Sequence, residues 1–249
     1  MILHAVDQGT GTGAPLVLLH GLFGSAGNFG VAQRRLAQDR RVVALDLRNH
    51  GSSPHAAAMD YPTLAHDLIE TMDALGLSSP AVLGHSMGGK VAMAAALLHP
   101  GRLGRLVVAD IAPVPYDAHF RGIGTAMQAL IPGLSRSQAD AALAATIPEA
   151  ALRGFLLQNF RPGTGWRIGL DQIVAALPSI EGWNVTGSYP GPALSILGER
   201  SEYVLPEHRP RLRALFPAIR FTTLPDAGHW LHADAPDAFV AAVEKFMAA

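Results

Sequence analysis

The feature that most limits what this chain can fold into is nine residues long, Val82-Leu83-Gly84-His85-Ser86-Met87-Gly88-Gly89-Lys90. An apolar strand passes through Gly-x-Ser-x-Gly into the start of a helix. The short pattern alone is common by chance, but this context makes it specific. A strand-to-helix turn this tight forces Ser86 into a strained backbone geometry, and Gly84 and Gly88 leave room where neighbouring chain must pass closely. The turn drives the hydroxyl out at the end of a sheet, beside a helix N-terminus that favours developing negative charge. The bland alternative, a plain N-cap serine, is disfavoured by that context.

The rest of the chain supplies a sheet for such a turn. Residues 42–45, 81–84 and 106–109 read as buried strands, with amphipathic helices at 61–75 and 87–98 between them. Strands alternating with helices predict a mostly parallel central sheet flanked by helices, an α/β fold. The alternation stops after Asp110 and resumes with strands at 193–197 and 219–224 and helices at 207–216 and 237–247. Between them, helical stretches near 125–130, 137–146, 149–158 and 168–177 have no comparable strand among them. We therefore expect a core made of 1–112 and 186–249, carrying a helical cap over 113–185. At the amino end, apolar runs at 2–6 and 15–19 flank the turn-rich Asp7-Gln8-Gly9-Thr10-Gly11-Thr12-Gly13, which suggests a hairpin.

An acyl-transfer serine needs donors for the oxyanion and a base for its proton. The backbone N–H of Met87, directly after the serine, is one donor. The loop His20-Gly21-Leu22-Phe23-Gly24-Ser25, following an early strand, supplies the second, assigned to Leu22 with Phe23 as the fallback. Eleven histidines compete for the base. His229, in Ala227-Gly228-His229-Trp230 after the last strand and before the last helix, has the position that the order Ser, acid, His requires. His85 adjoins the serine, but neighbouring side chains on a turn diverge. His50, His55 and His208 read as ordinary loop histidines.

Composition removes the other main chemistries. There are no cysteines, which excludes disulfides, thiolate nucleophiles and Cys-ligated metals. His232, three residues beyond His229, lacks a carboxylate or third histidine at metal-ligand spacing, so neither a metal nor a cofactor is expected. A net charge of −1 without clustered cations argues against nucleic acid and fits a neutral or weakly charged substrate better than a polyanion. The start has no basic segment before a long apolar run, and no stretch is long enough to span a bilayer. A cytoplasmic protein, monomer or small homo-oligomer, without stable membrane insertion is expected.

Four blocks, His20 to Ser25, Asp46-Leu47-Arg48-Asn49-His50-Gly51-Ser52-Ser53, Gly84 to Lys90 and Ala227 to His232, resemble the α/β-hydrolase superfamily. Within it the chain is similar to small esterases of the YbfF-like and ABHD11-like type. The resemblance implies a Ser/His/acid carboxylesterase with a helical lid and no cofactor, acting on small or medium acyl esters. In most relatives the acid follows the strand at 193–197, where this chain reads Gly198-Glu199-Arg200-Ser201-Glu202-Tyr203, with Ser201 in place of Asp. Asp110 is then favoured over Glu199 or Glu202, a choice to which the subfamily resemblance also points, with Ser201 as a second partner of His229. Asp46 is expected to tie its loop through main-chain hydrogen bonds rather than to serve as the acid.

Phe23, His85, Phe155, Phe160, Trp166 and Trp230 are expected around the substrate, with the cap supplying most of the acyl pocket. Thioesterase, lactonase and perhydrolase chemistry use the same groups. An Asp at the turn, as in dehalogenases and epoxide hydrolases, is replaced by Ser86. A non-catalytic sensor on the same fold is the alternative from another class; the nucleophile, base and oxyanion loop argue against it.

Overall fold

The computed structural model describes residues 1–118 and 120–249. Its centre is a seven-stranded sheet: β1 (Ala5–Gln8), β2 (Gly13–Leu19), β3 (Arg40–Leu45), β4 (Ala81–His85), β5 (Arg105–Ala109) and, after the helical segment, β8 (Ala193–Gly198) and β9 (Ile219–Leu224). The strands lie in the order β1-β3-β2-β4-β5-β8-β9. All neighbours are parallel except β1, which runs antiparallel to β3 with Ala5 opposite Leu45.

The expected amino-terminal hairpin does not form. Both edges of β2 are occupied by parallel neighbours, β3 and β4, so β1 must add outside β3. The glycine-rich link serves as the crossing, tied by the Gly13 N–H to the Asp39 carbonyl at 3.0 Å.

Strand residues are apolar on both faces because both are covered, the usual state of a parallel sheet. Along β2, Val17 and Leu19 join one core cluster while Leu16 and Leu18 join the other. Helices α2 (Tyr61–Ala74), α3 (Met87–Leu98) and α8 (Arg209–Leu215) contribute to the first cluster. Helices α1 (Gly30–Leu36) and α10 (Pro236–Ala248) contribute to the second. Helix α3 is buried on nearly every side, and its run of Ala92, Ala94, Ala95 and Ala96 allows close approach of both α2 and the sheet.

Between β5 and β8 the chain forms α4 (Phe120–Gln128), α5 (Arg136–Leu143), α6 (Ala150–Leu156), a hairpin of two-residue strands β6 (Phe160–Arg161) and β7 (Gly165–Trp166), and α7 (Leu170–Glu181). One more short helix, α9 (Leu231–Asp234), precedes α10. The topology gathers the carboxyl ends of β2, β3, β4, β5, β8 and β9 along one edge. Open parallel sheets bind their ligands there.

Candidate active site

Ser86 joins β4 to α3 at φ 53° and ψ −122°, a conformation that L residues rarely adopt. Its neighbours explain how the strain is held. A Cβ on Gly84 would lie 2.1 Å from the Gly88 carbonyl oxygen, and one on Gly88 would lie 2.3 Å from the Leu19 oxygen. Gly84→Ala is therefore expected to lower stability by about 1–3 kcal/mol through overpacking against main chain that cannot yield. Urea unfolding measures this; a change below about 0.5 kcal/mol would mean that the turn relaxes freely.

His229 and Asp110 meet directly, although they lie 119 residues apart: the His229 Nδ1–H donates to Asp110 Oδ2 at 2.8 Å. Asp110 is fully buried at the end of β5, at φ 55°. Its other oxygen accepts the Gly198 N–H at 3.2 Å. With Nδ1 protonated, His229 keeps Nε2 as an acceptor. The Tyr203 ring stacks on the imidazole with centroids 3.8 Å apart and an interplanar angle of 17°. Burial pushes the Tyr203 phenol up to about 12, so it remains neutral beside Asp110. No hydrogen bond joins the Ser86 hydroxyl to His229; in hydrolytic sites this contact commonly tightens only in the complex with substrate.

Ser201 has a different partner from the expected one. Its hydroxyl donates to Asp110 Oδ2, the oxygen that also receives His229. The turn after β8, closed by the Ser201 N–H to the Gly198 carbonyl at 3.1 Å, brings the side chain over the carboxylate rather than over the imidazole. Glu199 Oε2 accepts the Asp226 N–H at 3.0 Å, away from the base.

The loop after β2 is held by hydrogen bonds to two buried histidines. A Cβ on Gly21 would sit 3.2 Å from Ser86 Cβ, so this main chain passes directly over the serine. His20 Nε2 accepts the Leu47 N–H at 3.0 Å, and its Nδ1–H donates to the Gly21 carbonyl. His50 Nε2 accepts the Phe23 N–H at 3.1 Å, and its Nδ1–H donates to the Arg48 carbonyl. Phe23, at φ 59°, is thus unsuited as the fallback oxyanion donor because its N–H is already engaged. The N–H groups of Leu22 and Met87 have no protein acceptor among the described residues. Asp46 ties the neighbouring loop, accepting from Ala26 N–H at 2.7 Å and Ser52 N–H at 2.8 Å.

Burial holds several of these histidines neutral. His50 is pushed down to about 3 and His232 to about 4, while His20 is lowered and His85 falls well below the ordinary value. His85 donates from Nε2 to the His229 carbonyl at 2.8 Å, fixing the loop that carries His229. Among the described residues no group of three His, Cys, Asp or Glu side chains is placed to hold a metal.

Ser86 and His229 border one apolar cavity of about 220 Å³. Phe23, His85, Phe155 and Trp230 line it, as do Phe120, Ile123 and Leu152 from the helical segment. Phe160 and Trp166 do not. They face each other across the β6–β7 hairpin, ring centroids 5.3 Å apart, and the Trp166 indole donates to the Met127 carbonyl at 2.9 Å. These rings pack within the segment, an outcome that an apolar side chain in an insertion cannot signal in advance. Sequence reasoning also passed over Tyr203, Lys90 and Asn159. Asn159 Nδ2 donates to the Phe23 carbonyl at 2.7 Å and so links the helical segment to the loop over Ser86. The usable signal was position alone: Tyr203 two residues beyond Ser201, and Lys90 one turn beyond the serine.

A serine at a strained strand-to-helix turn, a histidine oriented by a buried carboxylate and free main-chain donors beside them define the class: this is a serine hydrolase. A family model described as the alpha/beta hydrolase fold matches residues 14–236, and the chain belongs to that family. It is 39% identical to Esterase YbfF of Escherichia coli (strain K12), over 94% of this chain and 93% of that protein. Identity to the sn-1-specific diacylglycerol lipase ABHD11 of Mus musculus is 41%, covering 97% and 83% of the two chains. Among solved structures, a marine microorganism esterase superposes with a TM-score of 0.93 at 36% identity, over 98% of this chain and 99% of that one. Among the described residues no helix is long and apolar enough to cross a membrane.

Proposed function

We propose that the protein is a carboxylesterase in which Ser86 attacks the ester carbonyl, His229 moves the proton and Asp110 orients and stabilises the imidazole. The observation that carries this reading is the 2.8 Å contact between His229 Nδ1 and Asp110 in the wall of the cavity that Ser86 borders. Leu22 and Met87 N–H groups receive the oxyanion. His229 takes the Ser86 proton, the tetrahedral intermediate forms, and the same proton passes to the leaving alcohol. Water, deprotonated by His229, then attacks the acyl-enzyme, releasing the acid and restoring Ser86. Ser201 holds the Asp110 carboxylate rather than touching substrate. The segment 113–185 acts as the lid, since its side chains roof the cavity. The relatives named as esterases and as a diacylglycerol lipase support ester substrates.

Stopped-flow kinetics on an activated p-nitrophenyl ester test the reading. A burst of about one equivalent of p-nitrophenol followed by a slower steady rate is the signature of acyl-enzyme accumulation. Activity should also survive exhaustive chelation, because His20 and His50 have both ring nitrogens committed to main-chain partners and, among the described residues, no three His, Cys, Asp or Glu side chains converge on a metal site. A loss of rate in step with metal removal, restored by zinc or manganese, would replace the serine with metal-activated water.

A further inference from the structure

Ser86 stands where two cavities meet. Leu22, Phe120 and Tyr203 border both. Only the larger, of about 220 Å³, is bordered by His229. Only the smaller, of about 30 Å³, is bordered by Met87, Lys90, Ile111, Tyr116 and Ile180. We propose that these cavities divide an ester between them: the small arm takes a short acyl chain and the large chamber takes an apolar alcohol.

The direction follows from the proton, and rests on the reading of Ser86 and His229 given above. When the tetrahedral intermediate collapses, the bond between the carbonyl carbon and the ester oxygen breaks. That oxygen leaves with the proton His229 took from Ser86, so it must lie beside His229. The alcohol chain therefore begins in the chamber that His229 borders, and its walls of Ile123, Leu152, Phe155 and Trp230 suit an apolar group. The acyl chain is attached to the other side of the carbonyl carbon. It enters the arm on the Met87 side. The arm, at about 30 Å³ against about 220 Å³ for the chamber, suits the shorter of the two chains, an acetyl or propionyl group.

The small arm is also held to its size. Its wall includes the last turn of α7, whose Ile180 and Glu181 carbonyls are both engaged. The Tyr61 hydroxyl donates to the Ile180 carbonyl at 2.5 Å, and the Tyr116 N–H donates to that of Glu181 at 2.9 Å. Lys90 Nζ, buried on α3, donates to the carbonyls of Glu181 and Gly182 at 3.3 and 2.8 Å, and lies 4.8 Å from the Tyr116 ring centroid. Burial lowers the Lys90 ammonium to about 7, with Glu181 opposing the shift, and in its charged form Lys90 is favourably placed at the C-terminal end of a helix. A longer acyl chain would have to displace this clasp.

The test is kcat/KM over two series of esters. With benzyl alcohol as the fixed leaving group and the acyl chain lengthened from acetate to octanoate, the rate is expected to fall about tenfold or more for each step beyond propionate. With acetate fixed and the alcohol enlarged from methyl to octyl, the rate is expected to rise. Ile180→Ala and Ile111→Ala, made separately so that one folding failure does not decide the matter, should each extend the tolerated acyl chain. Phe155→Ala should alter the alcohol series and leave the acyl profile in place. A wild-type rate that climbs from acetate to octanoate, with neither isoleucine variant changing that profile, overturns the division and puts the acyl chain in the large chamber. Absence of turnover on every ester by folded wild-type protein overturns the parent reading, and the division with it.

Discussion

Ser86→Ala and His229→Ala are each expected to lower kcat on an activated ester by about 10³-fold or more, and the double variant should lose little beyond either single one. The non-additivity is the informative part. A nucleophile without its base and a base without its nucleophile fail at the same proton transfer, so the second deletion removes nothing that still operates. Asp110→Asn should cost about 10³- to 10⁴-fold by another route. An amide facing His229 Nδ1 can donate where the carboxylate only accepts, which turns the imidazole to the tautomer with its proton on Nε2, where it cannot receive one from Ser86. Steady-state kinetics on variants with wild-type unfolding midpoints measure all three. A well-folded variant that keeps more than about a tenth of the activity has lost no essential group.

The local part of this site was legible in the sequence, and the long-range part was not. The strained turn at Ser86 is written within nine residues, because its geometry demands glycines at fixed offsets. His229 could be placed by its position between the last strand and the last helix. The contact between His229 and Asp110 joins residues 119 apart, and only the order of β5, β8 and β9 brings them together. Without that order, Glu199 and Glu202 remained candidates for the acid, and Ser201 was assigned to the imidazole instead of the carboxylate. The error at β1 has the same origin. An apolar run beside a glycine-rich link reads as half of a hairpin unless it is known that β3 and β4 already occupy both edges of β2. Within the helical segment, apolar side chains are needed both for its own packing and for the cavity roof. Phe155 went to the cavity, while Phe160 and Trp166 went to the β6–β7 hairpin.

Acid should unfold this protein earlier than its carboxylates alone would require. His50 and His232, pushed by burial to about 3 and about 4, are neutral in the folded protein well below the pH at which they protonate in the unfolded chain. Between about pH 6.5 and those values the unfolded state binds more protons, so stability falls as pH falls. Each such group contributes about 1.4 kcal/mol per pH unit, and the two together cost about 4 kcal/mol between pH 7 and 5. His20 and His85, lowered in the same direction by burial, add to the loss. Asp46 has the opposite sign of charge but the same consequence at lower pH. Burial raises its pKa, but the Ala26 and Ser52 N–H groups and two nearby histidines outweigh that and bring it below the usual value, so its contribution disappears only as the carboxylate protonates. Against the roughly 5–15 kcal/mol by which domains are usually stable, the histidine effect is large. Urea unfolding at pH 7.5, 6.5, 5.5 and 5.0 should show a midpoint that drops steadily. A flat midpoint over that range would mean that these histidines are protonated in the folded state, which for His20 and His50 contradicts the ring nitrogens that accept the Leu47 and Phe23 N–H groups.

If Ser86 is the nucleophile, it is the group that becomes acylated. Incubation with a fluorophosphonate, followed by proteolysis and mass spectrometry, tests it directly. One adduct per chain on the peptide containing Ser86, absent in folded Ser86→Ala and strongly slowed in His229→Ala, is the predicted result. An unlabelled wild-type protein, or an adduct that persists on another serine in Ser86→Ala, would mean that Ser86 is not the nucleophile.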